Sequence, residues 1–124
     1  MEWDPHSLQV LELDWVRREW ARRAETPMGQ ERAFQRPLSR DLQTVRLRLQ
    51  ETDEAVRLLL RDPPPAIRVQ EVRPALTKAL KGGTLTPDEL LLLAGLLHAA
   101  RAYKSHLLAR AQHYPQLALY AERL

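Results

Sequence analysis

An all-α fold, an irregular multi-helix bundle, is what this sequence predicts, and three observations carry the expectation. Apolar residues recur at three- and four-residue steps along almost the whole chain. Ser, Thr or Asp, several followed by proline, stand where such runs open, and prolines or a glycine pair stand where they close. Only residues 66–73, AIRVQEVR, alternate as an extended segment would, and no partner strand is visible for them.

The expected helices span residues 7–13, 15–25, 27–36, 39–61, 74–81, 87–112 and 115–124, read as a single helical module over 1–124. In the first, Ser7 to Leu13 carry a short apolar run, and Asp14 is placed to cap the second. There Val16, Trp20 and Ala24 form one stripe, while Asp14 with Arg18 and Glu19 with Arg23 make acid-first pairs four residues apart. Thr26 caps the third helix and Pro27 suits its first position, where a missing N–H costs nothing. Gly29 in the first turn leaves room for another backbone, and Pro37 closes this short corner piece.

From Ser39 the longest helix follows. Leu42, Val45, Leu49, Thr52, Val56 and Leu59 alternate by three and four, a heptad seam suited to a second long helix. Leu47, Leu58 and Leu60 widen the buried face, Asp53 can pair with Arg57, and Pro63-Pro64-Pro65 stop the helix. The fifth helix ends at Gly82-Gly83, the expected left-handed stop. The sixth opens with the strongest local signal, in which Thr86 caps, Pro87 takes the first turn, Asp88 and Glu89 meet the positive end of the helix, and Glu89 holds the capping-box position. Its apolar run from Leu90 to Leu97 predicts a central place in the bundle. Pro115 starts the last helix, whose pattern ends abruptly at Leu124 and reads as a truncation.

Composition excludes several classes. The chain has 124 residues, 44% hydrophobic and 28% charged, enough for one folded domain. Its net charge of +3 comes from 19 basic and 16 acidic residues that lie interleaved, so charge alone does not argue for nucleic acid. Without cysteine there are no disulfides and no thiolate metal sites. The opening MEWDPHSLQ lacks the features of a signal peptide, and the longest apolar run is far short of the ~20 residues of a membrane span, so the expected location is cytoplasmic.

No catalytic, cofactor-binding or metal-binding constellation emerges. There is no GxxxxGK[ST] phosphate loop. His98, His106 and His113 are spaced by eight and seven residues, too far apart on one helix to share an ion, and read as edge residues or inter-helix hydrogen bonds. Ser105 and His106 point apart on a helix. Trp3, Trp15 and Trp20 read as core or interface anchors. Arg17, Arg18, Arg22 and Arg23 are the only candidate nucleic-acid contacts, and they scatter round a solvated arc beside matching acids.

The order of motifs resembles the beginning of the type-two branch of the MutS family. The matching pieces are LELDWVRREWARRAETPMGQERA at residues 11–33, ETDEAVRLLL at 51–60, IRVQEVRPALTKALKGGTLTPDELL at 67–91 and LLHAARAYKSHL at 96–107. Thr26, Met28, Gly29, Pro37 and Leu38 are similar to the T-x-M-G … P-L signature of that family's helical core, or lever, domain. Gly82, Gly83, Thr86 and Pro87 belong to the same structural motif set. The triple proline and Trp15-Val16 depart from the family's usual residues.

The resemblance implies an amino-terminal, non-catalytic core/lever module of a longer DNA-binding protein. In such a protein, an ATPase domain using ATP and Mg would lie outside this chain, often with a small Smr nuclease domain. Suppression of homologous recombination, and action on collided ribosomes, are the implied roles of the parent. Implied partners are its remaining domains, a second subunit of the parent, and branched DNA or ribosomes as its substrate. The alternatives are a free-standing helical interaction or dimerisation module, or a small arginine-based nucleic-acid-binding domain.

Overall fold

The computed structural model describes residues 3–124, and among them are seven helices and no strand. The helices are α1 (Pro5–Val10), α2 (Leu13–Ala21), α3 (Pro27–Gln35), α4 (Leu42–Arg61), α5 (Arg73–Leu80), α6 (Pro87–Leu108) and α7 (Pro115–Ala121). The all-α expectation holds. The backbone groups into two compact units, one ending at Pro37 and the other running from Leu38 to Leu124.

In the first unit α1 packs against α2, and α2 against α3. Asp4, not Ser7, opens α1: its carboxylate accepts from the amides of His6 (3.4 Å) and Ser7 (3.2 Å), and Pro5 takes the first position. Asp14 does not cap α2. Glu12 stands in the left-handed region at φ 54°, and its carbonyl already accepts the amides of Trp15 and Val16, so the helix starts before Asp14 and places it in the first turn. The helix also ends sooner, at Ala21, in tighter turns that carry the chain to Thr26. Thr26 caps α3 as expected, its hydroxyl accepting the Gly29 amide at 3.0 Å behind Pro27. The reason for Gly29 differs from the one expected. A β-carbon there would stand 2.8 Å from the Thr26 hydroxyl and 3.6 Å from the Ala24 methyl, so the missing side chain makes room for the cap and not for another backbone. None of the three helices has a fully buried residue. Trp3, Trp15, Val16, Trp20 and Phe34 are exposed, which removes the tryptophans from any core.

The second unit holds the buried residues, namely Leu58, Val72, Ala75, Ala99, Tyr114, Ala118 and Ala121, with Glu54 beside them. Asp41 rather than Ser39 caps α4, accepting the Thr44 amide at 2.8 Å and its hydroxyl at 2.6 Å. Residues 63–72 form no helix or strand. Ile67 and Val69 are half-buried between exposed neighbours, the alternation that the sequence suggests, and it ends where half-buried Glu71 meets buried Val72. At the end of α5 the Gly82 amide donates to the Ala79 carbonyl and the Gly83 amide to that of Lys78, with Gly82 at φ 81°. These two bonds satisfy carbonyls that the last turn leaves open.

Both halves of the capping box at α6 are made. Glu89 N donates to Thr86 Oγ1 at 3.2 Å, and Thr86 N donates to Glu89 Oε2 at 2.8 Å. Lys78 adds an ion pair to Glu89 at 3.1 Å, tying α5 to the start of α6.

Packing corrects two expectations. Leu42, Leu49, Val56 and Leu59 of the heptad seam are exposed; α4 instead buries Glu54 and Leu58, one turn apart, on the side that meets α7. Nor is α6 central, since Leu90, Leu91 and Leu97 are exposed and only Ala99 is fully buried. It ends at Leu108, before the expected 112, where the amides of Arg110 and Ala111 turn to the carbonyls of Leu107 and Leu108 in tighter turns, and Tyr114 before Pro115 is out of helical geometry (φ −133°, ψ 60°).

Replacing Thr86 with Ala removes one half of the capping box. Urea unfolding of Thr86→Ala should show about 1 kcal/mol less stability, with the midpoint lowered and the slope unchanged.

Candidate functional site

The polar chemistry of the second unit gathers where the C-terminal half of α4 meets α7. Tyr114, the residue before α7, offers no capping side chain, and Pro115 occupies the first helical position. The next two amides, those of Gln116 and Leu117, need acceptors. Glu54 provides both, Oε1 accepting from Gln116 N at 3.1 Å and Oε2 from Leu117 N at 3.0 Å. A carboxylate 62 positions away in the chain thus does the work of an N-cap. It is only 5% exposed, and two N–H donors at the positive end of a helix are what offset the cost of burying it.

A second knot lies about two turns further on, at the end of α4. Asp62 ends α4, and its Oδ2 accepts the Tyr114 hydroxyl at 2.7 Å while Oδ1 faces Arg110 at 3.5 Å. The main-chain carbonyl of Asp62 accepts from His106 Nε2 at 2.7 Å. That bond places the ring proton on Nε2 and leaves Nδ1 to accept from Arg110 Nη1 at 3.2 Å. Arg57 bridges the two knots. Its guanidinium lies 5.6 Å from the centre of the Tyr114 ring, donates to the His113 carbonyl at 3.2 Å, and pairs with Asp53 at 3.0 Å. Further along, the Tyr120 hydroxyl donates to Glu51 at 2.8 Å.

These contacts shift two titrations. The Tyr114 hydroxyl holds the Asp62 carboxyl below the ordinary carboxylate range, with help from the Arg110 charge. The same bond pushes the Tyr114 phenol up, with burial and the Asp62 charge adding to the rise. Each oxygen of Glu54 accepts one backbone amide. Beside it an open groove of about 460 Å³ runs between Leu49 and Asp53 of α4 and Pro115 and Gln116. The arrangement acts as a mechanical clasp, joining α4 to the α6–α7 turn through partners that are all engaged.

The residues singled out from sequence do not converge there. Thr26, Met28 and Gly29 lie half-buried at the start of α3, while Pro37 and Leu38 are exposed in the connection that follows. Gly82, Gly83, Thr86 and Pro87 build the α5–α6 turn. The arginines at 17 and 18 in α2, and at 22 and 23 just after it, are turned to local partners. Arg17 donates to the Arg36 carbonyl (3.4 Å), Arg18 to the Asp14 carbonyl (3.2 Å), and Arg22 and Arg23 pair with Glu19. Arg18 therefore meets the Asp14 backbone and not its carboxylate.

Of the histidines, His106 makes an inter-helix bond of the kind expected, and no three His, Cys, Asp or Glu side chains among the described residues could hold a metal ion. No described helix is long and apolar enough to cross a membrane. Sequence reasoning missed Glu54, Asp62 and Tyr114. The usable signal was an absence: a proline-opened helix preceded by Tyr rather than by Ser, Thr, Asp or Asn needs an acceptor from elsewhere.

Comparison with known proteins gives this helical unit its relatives. The chain is 41% identical over 101 residues to the endonuclease MutS2 of Geobacillus kaustophilus, a match that takes in 81% of the chain. To MutS2 of Geobacillus thermodenitrificans it is 35% identical over 116 residues, and to that of Geobacillus sp. strain WCH70 35% over 121, covering 93% and 94% of the chain. This is a MutS2-family sequence. It spans only 13–15% of the length of those MutS2 relatives, in agreement with an amino-terminal region of MutS2. No family model matches the chain, and no solved structure does.

Two measurements test the clasp. Glu54→Gln exchanges one acceptor for an NH₂ group facing an amide and should cost on the order of 1–3 kcal/mol in denaturant unfolding. For pH, Asp62 has a depressed carboxyl, so its contribution is present above the unfolded value near 3.8 and is lost as pH falls through the folded one. Tyr114 has a raised phenol, so its contribution is present below 10.0 and is lost as pH rises through its folded value. Stability should be level between these limits, and Asp62→Asn should flatten the acid limb when Tm is followed against pH.

Proposed function

We propose that this MutS2 sequence is the amino-terminal core/lever module of a longer protein and that its work there is coupling rather than catalysis. The observation that carries the reading is the clasp. Glu54, Asp62 and Arg57 tie α4 to the segment around α7 with directional bonds, so the joined helices move as one body. The Lys78–Glu89 pair and the two-sided cap at Thr86 do the same for the α5–α6 turn. A unit tied in this way can pass a rotation from one neighbouring domain to another, which a flexible connection cannot do.

On this reading the chemistry belongs to other domains. ATP and Mg would be held by an ATPase domain, and phosphodiester cleavage by a nuclease domain, as the relatives' name of endonuclease suggests for them. The phosphate loop that such an ATPase needs is missing from these 124 residues. Branched DNA or a collided ribosome would be the substrate of the whole protein, and suppression of recombination its outcome. Arg17, Arg18, Arg22 and Arg23 favour no separate nucleic-acid reading, since each is directed to a carbonyl or carboxylate of its own unit.

Deletion of this region from a full-length MutS2 should leave ATP hydrolysis in place but abolish its stimulation by DNA. Glu54→Gln in the full-length protein should weaken the stimulation several-fold without altering basal hydrolysis. Steady-state hydrolysis with and without branched DNA decides the matter, and undiminished stimulation after the deletion would refute the coupling role.

A further inference from the structure

The left-handed residue between α1 and α2 is the strongest unabsorbed feature of the molecule. Two residues of the described chain have a positive φ. One is Gly82, at φ 81° after α5, where no side chain resists the turn. The other is Glu12, at φ 54° after α1. A β-carbon crowds the carbonyl oxygen in that region, and glutamate is among the better helix formers. The residue at 12 therefore favours the right-handed conformation that it does not occupy here. A joint that only had to turn would carry glycine, as the α5–α6 joint does.

Little in the first unit holds the bend. No side chain caps α2, so the break gives its first amides no such acceptor. In a continuous helix the amides of Leu13 and Asp14 would reach the carbonyls of Gln9 and Val10, four residues back. Leu11, at φ −77° and ψ 0°, lies at the edge of helical geometry, so the rotation falls on Glu12. On the other side stands the packing of α1 against α2, in which Leu8 and Leu13 are only half-buried and no residue is fully buried. Backbone strain persists where the surroundings over-determine it, and here they do not.

We infer that the α1–α2 joint is a two-state hinge, in which Glu12 turns from the left-handed to the right-handed conformation and fuses α1 and α2 into one helix from Pro5 to Ala21. Asp4 already caps the start of that helix, and the contacts of α2 with α3 do not involve α1 and are kept. The hinge changes what the unit displays. Bent, it keeps Leu8 half-buried; straight, it sets Leu8, Leu11 and Trp15 at steps of three and four along one face. The device stands apart from the coupling role, because it rests on the joint alone.

The lack of cysteine lets two spin labels be placed at will. His6→Cys and Arg22→Cys, both at exposed positions, bracket the joint in the full 124-residue chain. A straight helix sets the two backbones about 24 Å apart along its axis, and a bend at Glu12 brings them closer. Pulsed dipolar spectroscopy of the labelled chain should show both a short and a long distance. Glu12→Gly, which relieves the bend and weakens the helix, should leave only the short one. Glu12→Val, whose branched side chain is ill suited to the left-handed region, should raise the long fraction several-fold. Thermal unfolding of each variant confirms that the fold persists.

A single short distance in both the native sequence and Glu12→Val would overturn the inference, since the joint would then be a fixed corner. So would a single long distance in all three chains, because no bend would form. Two distances whose proportions ignore residue 12 would also overturn it, as the mark of a hinge elsewhere.

Discussion

The second unit depends on one exchange between α4 and α7: a buried carboxylate and two buried amides, each costly alone, satisfy one another. α7 has seven residues, too few to persist as an isolated helix in water, and its own flanking residue supplies no cap. Glu54 stabilises its first turn from outside, and that turn then carries Ala118 and Ala121 into full burial. Their small side chains let α7 approach its neighbours closely, which places Tyr114 within reach of Asp62 and Arg57. Burial, cap and aromatic anchor thus follow from one another, with little large apolar side-chain area involved.

That economy explains why so many leucines remain exposed. A core made of alanines, one tyrosine, one valine and one leucine can be closed by directional polar bonds, and it does not need the apolar faces of α4 and α6. Those faces are then open to other surfaces, as suits a segment that matches only 13–15% of the length of its MutS2 relatives. The two conspicuous faces of α4 have divided tasks, one holding the unit together and the other presenting a patterned stripe.

Local signals were the legible part of the fold. Thr26-Pro27, Thr86 with Glu89, and Gly82-Gly83 each name their own partners within a few residues, and the bonds found are the ones that such spacing implies. Helix starts slipped where a better cap lay nearby, Asp41 displacing Ser39 and Asp4 displacing Ser7. The clasp was hidden for a physical reason. Glu54 bonds to backbone amides, which every residue except proline offers, so nothing in the identities of Gln116 and Leu117 announces the contact. The heptad stripe of α4 was visible as a pattern, but periodicity shows only which residues share a face, not which of two faces the rest of the fold will cover. The resemblance to the type-two MutS branch, by contrast, was readable from motif order alone.

A lock that grips the main chain has a distinctive history ahead of it. The residues at 116 and 117 can drift through most of the amino-acid alphabet while the lock stays shut, because what Glu54 holds is common to nearly all of them. Only proline, which lacks the gripped hydrogen, is barred from both places. Position 54 has no such latitude, so diverging descendants of this chain would keep an invariant acid opposite a freely varying pair.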